Sequence, residues 1–197
     1  MPLGRNNSKK SIGLKPVVKK GEDPRFLVSR YEDGAWKNNV DEGVKSVQGD
    51  ITEIKIETFE YEGDEKRSAI IRMDDGVDNF RLQVGFGNAA RGFFNSLLSL
   101  EDFKDVSVSM YLSKTGYAAF GVWQRDELVK WKYNLEDLPQ PEETQFKGKT
   151  MRDYTEVDLF FEKHLQELTK KIKVSAPTRR ASAETESDDY EEDEIPF

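Results

Sequence analysis

Tyr111, Tyr117 and Trp123 fall where their rings would stand on the outside of two adjacent strands. In the segment 106–112, Val106, Val108, Met110 and Leu112 share one side of a period-two pattern, so Ser107, Ser109 and Tyr111 take the other. In the next segment Ala118, Phe120 and Val122 point inward and leave Tyr117, Ala119, Gly121 and Trp123 outside. Small residues between flat rings leave room for a planar group. That arrangement suits stacking on unpaired nucleobases, which is worth about 1–3 kcal/mol per base and is indifferent to base identity. Trp36 and Trp131 are further candidate platforms, and Arg67, Arg72, Arg81, Lys114, Arg125, Lys130 and Lys132 are candidate partners for phosphates. Each phosphate contact on a single strand steepens the log–log salt dependence of binding by roughly 0.7. Aromatic residues also favour strands for packing alone, so each ring has a plainer reading as core or rim.

Other chemistry finds little material. The chain has no cysteine and a single histidine, His164, which removes thiolate metal sites, disulfides and histidine-dependent triads. The run 85–90, Gly-Phe-Gly-Asn-Ala-Ala, fits a loose dinucleotide fingerprint, but its flanking strands are expected to be antiparallel and the fingerprint needs a parallel βαβ unit. The run 74–78, Asp-Asp-Gly-Val-Asp, has the wrong spacing for a calcium loop and reads as a hairpin turn. His164 is expected to face solvent on a helix, without a task. No carboxylate pair sits where its acidity would be perturbed. No enzymatic activity, cofactor or metal is therefore expected.

The elements that would hold these residues follow from periodicity. Residues 1–20, with six basic residues, no acid, and Gly4, Gly13 and Pro16 as breakers, read as a mobile basic arm. Residues 21–45 look irregular, with turn signals at Asp33-Gly34 and Glu42-Gly43. Strands are expected over 51–61, 66–73 and 80–84, then a helix over 88–100, then strands over 106–112, 117–124 and 128–133. A connector, 134–150, leads to an amphipathic helix over 153–172 whose apolar stripe is Tyr154, Val157, Phe161, Leu165, Leu168 and Ile172. Asp153 is its expected cap, with Glu156 in the capping-box position. Three strands, a helix and two strands is the order of an OB-fold. The expected class is thus mainly β: a five- to six-stranded OB-fold barrel with one helix between its third and fourth strands and a C-terminal amphipathic helix. The domain would span 21–173, followed by a flexible linker and tail over 174–197.

Charge is placed unevenly. Eight carboxylates between Glu184 and Glu194 account for the whole formal net charge of −8 and leave the remainder balanced. Such a run repels itself and does not fold, yet it ends in the apolar Ile195-Pro196-Phe197. An anionic string with a hydrophobic end suits a small pocket with a basic rim. The ending Asp193-Glu194-Ile195-Pro196-Phe197 resembles the acidic tip of bacterial single-stranded-DNA-binding proteins. The match covers only those residues, or fourteen with the acidic run, and the layout of the body is more similar to a bacteriophage member carrying a host-like tip. The resemblance implies sequence-independent binding of single-stranded DNA in replication, recombination and repair, and a tip that recruits replication and repair enzymes. Tethered beside a cationic surface, the tail would also compete with the strand. A cytoplasmic setting without a membrane segment fits the absence of any long apolar run. The alternative is an acidic-tailed chaperone or DNA mimic that binds basic proteins.

Overall fold

The computed structural model describes residues 10–19, 21–32, 35–146 and 149–175. The tail, including Asp193 to Phe197, lies outside the described residues, as do the first nine. The protein is mainly β. Its strands are β1 (Ser11–Val17), β2 (Arg25–Glu32), β3 (Ala35–Val44), β4 (Ser46–Tyr61), β5 (Asp64–Asp74), β6 (Asn79–Gly85), β7 (Val106–Leu112), β8 (Ala118–Gln124), β9 (Glu127–Leu128), β10 (Glu142–Phe146) and β11 (Lys149–Asp153). Helix α1 (Asn88–Leu97) separates β6 from β7, and α2 (Thr155–Ser175) closes the described chain.

Nine strands form one sheet in the order β3-β2-β1-β6-β5-β4-β7-β8-β9, and β10 pairs with β11 alone. The sheet does not close on itself. A meander, β4 to β6, is followed by α1, after which β7 returns to the free side of β4 and β8 pairs with β7. β4 can serve both neighbours because it is long: its start, 46–49, pairs with β7 and its remainder with β5. A bulge at Thr52 lies close to the changeover.

One face of this sheet carries the core. Ile54, Ile71, Leu82, Val106, Val108 and Phe26 are fully buried and meet Phe93, Phe94 and Leu97 of α1. Helix α2 lays Val157, Phe161, Leu165, Leu168 and Ile172 onto the same cluster. The Thr169 hydroxyl donates to the Ile54 carbonyl at 2.6 Å, which ties the helix to β4. The Asp153 carboxylate accepts the backbone N–H of Thr155 at 2.9 Å and its hydroxyl at 2.7 Å, holding the start of α2. No helix among the described residues is long and apolar enough to cross a membrane.

The structure departs from expectation in the connector, where 142–146 and 149–153 pair as the β10–β11 hairpin instead of running irregular, and at three further places. Residues 11–17, expected within a mobile arm, form an interior strand, antiparallel to β2 and parallel to β6. Gly13 and Pro16 read as breakers, but Leu14 is buried in the core while Lys15 points to solvent. Residues 25–44, expected irregular, form the β2–β3 hairpin around buried Phe26 and Val28. The strand expected over 128–133 stops at Leu128, because Asn95 of α1 captures the backbone beyond it.

Candidate nucleic-acid interface

The outer face of β7 and β8 presents rings over a floor of small residues. Opposite neighbours are Ser107 and Trp123, Ser109 and Gly121, and Tyr111 and Ala119. Trp123 is 39% exposed, Tyr111 48% and Tyr117 76%, so none of them is core. Inward-facing Phe120 instead packs on Phe93 at 4.9 Å and Phe26 at 6.1 Å. Gly121 is buried beneath the two rings: a Cβ there would lie 3.0 Å from the Trp123 indole nitrogen and 3.5 Å from Tyr111 Cε1. The indole N–H donates to the Ser109 hydroxyl at 3.3 Å, which fixes the ring. Trp123 also borders a shallow cavity of about 350 Å³ with Gln48, Ser107 and Arg125.

A second patch stands at the other end of the same sheet. Trp36 meets Tyr31 edge-on at 5.4 Å and lies across Gly13, where a Cβ would approach its ring to 3.0 Å. Arg72 and Arg81 share a hollow of about 380 Å³ with these two rings. Both arginines are ion-paired across strands, Arg72 with Glu53 at 2.9 Å and Arg81 with Glu57 at 2.8 Å. The two arginines, opposite each other across β5 and β6, are thus each neutralised by a glutamate of β4.

Trp131 belongs to neither patch. The Asn95 side chain, almost completely buried, accepts the N–H groups of Lys132 and Tyr133 at 3.0 and 2.9 Å and donates to the Tyr133 carbonyl at 2.8 Å. This clamp turns residues 129–133 away from the sheet and lays Trp131 over Gly92 of α1, where a Cβ would be 3.2 Å from the indole. The result is a groove of about 820 Å³ between α1, residues 131–141 and the start of α2. Tyr111, Tyr117, Trp131 and Tyr154 line it, with Arg91 and Arg152. Arg91 forks onto Asp158 at 2.7 and 3.0 Å and lies 4.1 Å from the Tyr154 ring centre. Glu143 and Tyr154 raise the pKa of the Arg152 guanidinium above its ordinary value.

The remaining candidates divide. Arg67 pairs with Glu162 at 2.6 Å and covers Phe86 at 5.8 Å, tying β5 to α2 rather than facing either patch. Arg125 is ion-paired with Asp102. Lys114 and Lys130 are exposed and make no ion pair with a described residue. Lys132 lies 5.4 Å from the Tyr133 ring centre. His164, expected to face solvent without a task, is half-buried: its Nδ1 is bonded to the Phe160 carbonyl at 2.8 Å and its ring packs on Phe160 and Tyr133.

Sequence reasoning missed Arg91, Gly92, Asn95 and Arg152 as site residues. Asn95 had a signal, as a polar residue inside the apolar run of α1. The others are joined only by contacts distant in sequence. No protein-family model, characterised protein or solved structure matches the chain.

Proposed function

We propose that this protein binds single-stranded DNA without reading sequence, through the outer face of its sheet, and acts as a coating protein in replication, recombination and repair. The observation that carries the reading is the pair of exposed rings, Tyr111 and Trp123, flanking Gly121 over a floor of Ser109 and Ala119. Rings held open over small residues offer faces to bases, and a base of any identity has a face to offer. The Trp36 and Tyr31 patch gives the strand a second anchor on the same sheet. The role is binding rather than catalysis, and the acidic tip, Asp193 to Phe197, recruits the enzymes that act on the coated strand. A bacteriophage origin in a bacterial cytoplasm fits the resemblance of that tip.

The same reading takes the β4–β8 portion as an OB-fold elaborated at its N-terminus. Support comes from the meander β4-β5-β6, the helix that follows it and the return of β7 to β4. In this reading β1 and β2 occupy the side of β6 where a plain five-stranded barrel would close.

Titration of the full-length protein with oligo-dT, repeated across salt, tests the function. Quenching of tryptophan fluorescence with affinity that falls as salt rises is the expected result. Absence of binding at low ionic strength, together with capture of basic proteins, would refute it in favour of an acidic chaperone or DNA mimic.

A further inference from the structure

The groove between α1, α2 and residues 131–141 is continuous with the outer face, because Tyr111, Tyr117 and Ala119 border both. A strand lying along β7–β8 from Trp123 past Gly121 reaches Tyr111 after four residues of ladder, about 13 Å at the usual strand rise. Its next step is the groove. There the walls are rings, Trp131 on Gly92 and Tyr154 under Arg91. The groove's arginines already hold carboxylates, Asp158 and Glu143. A pocket of flat rings whose cations are neutralised favours an uncharged planar group over a phosphate, since a phosphate would have to displace those carboxylates. A volume of about 820 Å³ lies within the range of pockets that enclose a small organic ligand.

We infer that this groove is the second half of the single-strand site: it takes unpaired nucleobases of the same strand as that strand leaves the sheet at Tyr111. The inference rests on the single-strand reading above and adds a path to it. The strand turns off the sheet beside α1 and does not run on over β9. Contact is then shared between the sheet face, which takes bases one at a time on separate rings, and the groove, which encloses them.

The distribution of tryptophan allows the two halves to be read separately. The chain has three tryptophans: Trp36 at the β3 patch, Trp123 on the β7–β8 face and Trp131 in the groove. Full-length proteins retaining one tryptophan each, the others changed to phenylalanine, are titrated with oligo-dT over the ~4–16 nucleotide range of single-domain sites. The inference expects quenching of Trp131 as well as Trp123. It also expects Ala89→Phe, which fills the groove from α1 without touching the outer face, to abolish the Trp131 response. That substitution should weaken affinity roughly 5- to 150-fold, the equivalent of one lost stacked base. Trp131→Phe in the otherwise native chain, which leaves the groove's shape nearly intact, should remove the same part of the total quenching.

A silent Trp131 beside a quenched Trp123 overturns the groove and leaves the sheet-face reading standing. If both are silent, the functional reading fails and the groove falls with it. Quenching of Trp131 by a proline-rich peptide but not by oligo-dT assigns the groove to a protein partner and also overturns the inference.

Discussion

Replacing Gly121 by valine fills the floor between Tyr111 and Trp123 and should separate strand binding from stability. The added Cβ would sit 3.0 Å from the Ser109 hydroxyl, 3.0 Å from the Trp123 indole nitrogen and 3.5 Å from Tyr111 Cε1. All three atoms are outer parts of side chains on the solvent side of the sheet, so they can yield by a few tenths of an ångström. Valine is also a better strand residue than glycine. We therefore expect stability to change by no more than about 1 kcal/mol, a shift of roughly 2–4 °C in melting temperature for a chain of this size. The two methyl groups, by contrast, occupy the space a base would use and push the rings apart. Loss of one stacked base costs about 1–3 kcal/mol, or roughly 5- to 150-fold in dissociation constant. The assay is fluorescence anisotropy of labelled oligo-dT at low salt, paired with a circular-dichroism melt of the same protein. A variant that melts normally and still binds within about twofold of the native protein would refute the stacking argument.

Asn95→Ala removes three hydrogen bonds to residues 132 and 133. It should cost about 2–4 kcal/mol, read as a lower urea midpoint with unchanged slope. Arg67→Met breaks a half-buried pair with Glu162; it should lose about 1–2 kcal/mol of stability and leave strand affinity unchanged, where a role in binding would lower it. The Asp153 carboxyl is held below its ordinary pKa, chiefly by the Thr155 hydroxyl and then by the Thr155 N–H. The stability it contributes is present above the ordinary carboxylate range and lost as pH falls through the depressed value. Asp153→Asn should therefore flatten the acid limb of the melting-temperature profile. Glu53→Gln with Glu57→Gln frees Arg72 and Arg81 and should tighten strand binding, steepening the salt slope by about 0.7 per freed contact; an unchanged slope would place those arginines outside the interface.

The parts of the fold legible in the sequence were those governed by short-range periodicity. The alternation through Val106, Val108 and Met110 set the outward positions of Ser109 and Tyr111 correctly. The stripe from Val157 to Ile172 fixed the buried face of α2. The N-terminal strands escaped because their punctuation is misleading. Gly13 is not a breaker but the seat of the Trp36 ring, and Pro16 lies near the end of a strand whose inward residue, Leu14, sits between Gly13 and Lys15. The groove escaped for a different reason. Trp131 reads as the outward residue of a final strand until Asn95, 38 positions from Tyr133 in sequence, takes the backbone away from the sheet. No local pattern contains that choice, since it depends on α1 and the 129–133 segment meeting in the folded chain.

If the protein binds a single strand as proposed, the arrangement of charge bears on which force carries that binding. Outside the tail the acids and bases of the chain balance, and on the outer face the arginines beside the Trp36 patch each hold a glutamate from β4. A phosphate arriving at Arg72 or Arg81 exchanges one anionic partner for another and leaves a carboxylate facing it, so the net electrostatic gain is small. Lys114 and Lys130 have no such partner among the described residues and can pair with phosphate without that exchange. Those two lysines alone add only about −1.4 to the salt slope. Under the proposed function, stacking on Trp123, Tyr111 and Trp36 would add the larger part from those elements, without regard to sequence. A protein built this way would retain most of its affinity at salt concentrations that strip a charge-driven binder from its strand, because its main anchors are rings and not ions.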